Sequence, residues 1–169
     1  MSRIFVEVIH LGLTDDGQLG WSSATQTLRG DDNPDTTARS LTTGAGTLQL
    51  IHSTSWRWMP PDTVILTYAA VATPPIGIEW STSKLTDPII VSSGDALTPR
   101  PDALHEHHIV AHAVVHLSLI ARRDPTVAAV AQLPANRDLF ATLHAIADAT
   151  PTTTHGVAHH FLHDVPAAT

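Results

Sequence analysis

The chain has 169 residues, enough for one domain with a substantial core and too few for two. Its formal charge of −7, with a single lysine at Lys84, argues against binding to a phosphate backbone, which needs clustered cations. No cysteine is present, which removes disulfides, thiolate nucleophiles and cysteine-ligated zinc from consideration.

Charged residues make up 15% of the chain, against roughly a quarter in an ordinary domain. Part of the surface must therefore be Thr, Ser, Ala and His, or be covered by a partner, and a homodimer is the expectation. The N-terminus has Glu7 inside its apolar run, and no stretch approaches the roughly 20 apolar residues of a membrane span. A cytoplasmic protein with no membrane partner is expected.

Residues 3–10, RIFVEVIH, are rich in β-branched and aromatic types and read as a strand. The turn-rich run from Gly12 to Gly20 leads to a second strand over 20–29. Asp31-Asp32-Asn33-Pro34 then marks a helix start, with Asn33 as N-cap and Pro34 at the first helical position. That helix is predicted to run to about Gly44.

Residues 48–59 alternate, which predicts Leu50, His52, Thr54, Trp56 and Trp58 on one strand face. Residues 63–72 form a nearly continuous apolar run, as expected of a strand covered on both sides, and Pro60-Pro61-Asp62 joins the two as an antiparallel hairpin. Short strands are predicted over 76–82 and 88–92, followed by a loop over 92–102. The rest reads as helical: 102–122, 126–132 and 137–149, the last capped by Asn136, then a broken segment with a final turn or two near 157–163.

The stretch Gly30 to Gly46, GDDNPDTTARSLTTGAG, carries a spacing that resembles the Nudix hydrolase signature, G-x5-E-x7-R-E-U-x-E-E-x-G-U, where U is bulky and aliphatic. Arg39 stands at the arginine, Leu41 at an aliphatic position, Gly46 at the glycine, and Asp31 at the first acidic position. Thr25 replaces the first glycine, and Ser40, Thr43 and Gly44 replace the three helix glutamates. The resemblance covers residues 1–92 and implies an α/β fold: a Nudix-like mixed β-sheet flanked by helices, with residues 93–169 as a helical C-terminal extension packed on the same domain or at a dimer interface.

Nudix enzymes hydrolyse nucleoside diphosphate derivatives with divalent cations held by those glutamates. Hard cations need clustered oxygen ligands, and Ser40, Thr43 and Gly44 offer no carboxylate. The leading expectation is a non-catalytic Nudix-like protein that binds a small, nucleotide-like ligand or a protein partner and needs no cofactor. Arg39, Trp56, Arg57 and Trp58 are the candidate ligand-binding residues, because two tryptophans on one strand face could stack on a planar group. Core packing beneath a helix or a tryptophan-rich dimer interface is the competing explanation, and composition favours it.

One alternative is a metal-dependent hydrolase. His105, His108, His112 and His116 fall on one helical stripe, and His108, His112 and His116 are candidate ligands for a divalent metal, zinc or magnesium. The competing explanation is packed or interface histidines on a largely buried helix. A structural homodimerisation module is the third reading.

Overall fold

The computed structural model describes residues 3–73, 85 and 104–150. The elements are β1 (Arg3–Leu13), β2 (Leu19–Thr27), α1 (Pro34–Ser40), β3 (Thr47–Met59), β4 (Thr63–Thr73), α2 (Glu106–Arg123), α3 (Pro125–Ala131) and α4 (Arg137–Ala149). The strands form one mixed sheet in the order β2-β1-β4-β3. Hairpin pairs β1–β2 and β3–β4 are antiparallel, and β1 lies parallel to β4 at the centre. The predicted strands at 76–82 and 88–92, the loop at 92–102 and the turn near 157–163 lie outside the described residues.

Each central strand is covered on both faces, which explains why residues 63–72 read as continuously apolar. On one face Val6, Val8, Tyr68 and Ala70 pack against Ala38 of α1. On the other, Ile9, Leu11, Ala69 and Val71 meet Val110, Val114 and Leu117 of α2 and Phe140 and Leu143 of α4. Leu117 and Leu143 are fully buried. Each contributes about 1.5–3 kcal/mol on removal from water.

Helix α4 covers the predicted span, because Leu139, Phe140 and Leu143 recur at helical spacing and turn inward together. Asn136 is its N-cap residue by position but makes no capping hydrogen bond. Its buried amide instead accepts from the Thr73 hydroxyl at 3.0 Å and donates to the Val130 carbonyl at 3.0 Å, tying β4 to the α3–α4 turn. Between α2 and α4, Ser118 Oγ and His144 Nδ1 are 2.8 Å apart, and Arg122 pairs with Asp148 at 2.8 Å.

Two predictions are corrected. The first helix ends at Ser40, about a turn before Gly44, and Thr42 Oγ1 bonds back to the Arg39 carbonyl at 2.7 Å in the turns that follow. The face assignment of 48–59 also fails. Irregularities between Leu48 and Leu50 and between Ser53 and Ser55 each insert one unpaired residue. A one-residue insertion sends every later side chain to the opposite face. Leu50 and His52 pair with Val71 and Ala69 and face α2, whereas Trp56 and Trp58 pair with Leu66 and Val64 and face the α1 side.

Candidate functional site

Helix α1 begins as its sequence dictates. Asn33 Oδ1 accepts from the Asp35 and Thr36 backbone N–H groups at 2.8 and 3.2 Å, and Pro34 follows at the helix entrance. Asp35, in the first turn, receives the Tyr68 hydroxyl at 2.7 Å. That bond pins the helix start to β4 beneath it. Burial, with the Asp35 hydrogen bond and charge, pushes the Tyr68 phenol up to about 12.

Arg39 and Ser40 at the far end of the helix, and Thr43 and Gly44 in the turns after it, are all exposed. Gly44 has φ +86° and Gly46 φ +110°, so the backbone is left-handed where the motif's last glutamate would sit. Of the acids nearby, Asp35 is held by Tyr68, and Asp32 accepts the Arg29 N–H at 3.2 Å. The residues present do not fit a magnesium centre built on this helix, which needs several converging carboxylates.

Helix α1 packs over β1 and β4, and the edge strand β3 lies beyond β4 in the same sheet. Trp56 pairs with Leu66, which pairs with Val6, and Val6 packs against Ala38 of α1. The two indoles therefore stand on the α1 side of the sheet, and they are open: Trp56 is 58% exposed and Trp58 45%. Core packing does not account for them.

Arg57 turns to the opposite face. Its Nη1 and Nη2 donate to the two Glu7 carboxylate oxygens at 2.9 and 2.8 Å, and Nη1 donates to Thr67 Oγ1 at 2.7 Å. The structure thus brings Trp56 and Trp58 together and leaves Arg57 on the other side as a strut across three strands.

The histidine stripe divides. His108 clusters with His107, ring centres 4.1 Å apart, and with His105 at 5.4 Å, at the start of α2. Its Nδ1 accepts the His105 backbone N–H at 3.1 Å. His112 and His116 lie further along, 6.2 Å apart, and His116 meets His52 of β3 at 5.3 Å. Sequence reasoning did not single out His52, because its facing depends on the bulges in β3.

Burial lowers the pKa of His112, and burial with the charges of His52 and His112 brings His116 down to about 4. His112 Nδ1 and His116 Nε2 are buried with no hydrogen-bond partner among the described residues. Among the described residues no three His, Asp or Glu side chains already converge to hold an ion. Nor is any helix there long and apolar enough to cross a membrane.

A mixed four-stranded sheet with the short helix on one face and three helices on the other defines a Nudix-like α/β protein. Comparison with solved structures agrees. The chain is similar to a MutT/nudix family protein from Enterococcus faecalis, with a TM-score of 0.51 and 12% identity over 85% of this chain and 74% of that one. At that identity the likeness concerns the fold. No protein-family model matches the sequence, and no curated protein matches it.

Proposed function

We propose that this chain is a non-catalytic Nudix-like protein that binds a small planar ligand of the nucleotide class on the α1 side of its sheet. The observation that carries the reading is the pair of open indoles, Trp56 and Trp58, on the face shared with α1. Adjacent aromatic faces offer stacking to a base, worth about 1–3 kcal/mol for each stacked base. Exposed Arg39 is the cation on α1 available to a phosphate.

The binding-only part of the proposal rests on Ser40, Thr43 and Gly44. They supply no carboxylate, and α1 ends before the last two. Titration with ADP-ribose, NAD and nucleotides, followed by tryptophan fluorescence and thermal shift, tests it. Saturable quenching with a raised melting temperature, and no magnesium-dependent product, is expected. Hydrolysis of any of these compounds, or no response to all of them, overturns the reading.

A further inference from the structure

The three imidazoles between α2 and β3 carry a separate inference. His52 Nδ1 lies 2.7 Å from the Ser53 carbonyl oxygen. A carbonyl only accepts, so that nitrogen carries the proton, and in the neutral ring Nε2 holds the lone pair. A backbone carbonyl fixing one ring nitrogen is also the usual outer support of a metal-binding histidine. On the facing helix, His116 Nε2 and His112 Nδ1 are buried with no hydrogen-bond partner among the described residues. A buried nitrogen without a partner needs an explanation, and an ion is one.

We propose that His52, His112 and His116 form a binding site for a zinc-class divalent cation that staples α2 to the edge strand β3. The donor set is all imidazole, which suits zinc, copper or nickel and does not suit magnesium or calcium. Two imidazoles on one tetrahedral ion, with metal–nitrogen bonds of about 2.0–2.1 Å, place their ring centres about 5 Å apart. His52 and His116 already stand at 5.3 Å. His112, at 6.2 Å from His116, closes the remaining gap of about 1 Å when the ion binds.

His108 does not take part. Its Nδ1 is engaged by the His105 N–H, and its ring belongs to the cluster at the start of α2. The site therefore draws one ligand from the sheet and two from the helix, at positions i and i+4. A fourth position is left to water.

The test uses the full chain, untagged and stripped with chelator, titrated with Co²⁺ and then displaced by Zn²⁺. Expected are tetrahedral d–d absorption saturating at about one equivalent per chain, and affinity weakened at least tenfold by His52→Ala or His116→Ala. His108→Ala leaves it unchanged. Because a seam variant could fail to fold, the ¹⁵N imidazole shifts of the unaltered protein give a second readout. Zinc should move the ring nitrogens of His52, His112 and His116. Absence of stoichiometric binding, binding that survives His52→Ala, or zinc shifts confined to His105, His107 and His108 overturns the proposal.

Discussion

Arg57 on β3 reaches over β4 to grip Glu7 on β1, each guanidinium terminus meeting one carboxylate oxygen. Both side chains are largely buried, 14% and 13% exposed, so neither charge has water to fall back on. Removing one partner strands the other, which costs about 3–5 kcal/mol for a buried pair. Arg57→Ala should therefore lower unfolding free energy by about 3 kcal/mol in urea titration. Glu7→Leu combined with Arg57→Leu should recover most of that loss, because the desolvation cost disappears with the charges.

Trp56 and Trp58 should behave in the opposite way. Open side chains on an edge strand contribute little to stability, so Trp56→Ala and Trp58→Ala should stay within about 1 kcal/mol of the parent in urea. If they form the stacking platform, either variant should weaken nucleotide binding at least about fivefold by calorimetry, as expected for about 1–3 kcal/mol per stacked base. Loss of stability with unchanged binding would assign the indoles to packing instead.

The elements legible in the sequence are those set by local period and local caps. Asn33 caps α1 as read, and α4 spans Arg137 to Ala149 as read, because neither depends on distant residues. The facing of β3 was not legible. It turns on the extra residues that break its register, and nothing in LQLIHSTSWRWM marks them, since no glycine or proline interrupts the run. Nor was the match of His52 with His112 and His116, or of Tyr68 with Asp35, legible. Those pairs join residues 33 to 64 positions apart, and only the parallel β1–β4 pairing and the helix layers bring them together.

Tyr68 is the only tyrosine, so phenolate absorbance reports it alone. Its folded pKa is raised to about 12, above the ordinary value of 10.0. The unfolded chain loses that proton first, so the stabilisation from the protonated phenol is present below pH 10 and is lost as pH climbs towards 12. Spectrophotometric titration should give a midpoint near 12 in the native protein and near 10 in denaturant. Asp35→Ala should bring the native midpoint down, since it removes both the hydrogen bond and the charge.

The histidine seam should respond at the acid end. In metal-free protein His116 titrates at about 4 and His112 is also lowered, against 6.5 for an ordinary imidazole. The unfolded chain takes up protons first, so stability is full above about pH 6.5 and falls as pH drops towards 4. The loss should amount to about 2 kcal/mol, discounted for partial exposure of His116. Urea midpoints measured from pH 7.5 to 4.5 in chelator should show this fall, and His116→Leu should flatten it.

Placing three glutamates at Ser40, Thr43 and Gly44 should fail to create a Nudix-type cation site. The motif needs its acids on one continuous helical face, whereas α1 here ends at Ser40 and Gly44 sits at φ +86°. A Cβ at Gly44 meets no steric obstacle, so the obstacle is the backbone itself. A non-glycine residue held left-handed costs about 1 kcal/mol. Gly44→Glu should therefore destabilise the fold by about that amount. Ser40→Glu, Thr43→Glu and Gly44→Glu together should show no saturable Mg²⁺ binding by calorimetry and no magnesium-dependent hydrolysis of ADP-ribose. Activity in that triple variant would show that only the side chains are missing, and that the turn after α1 can rewind into a longer helix.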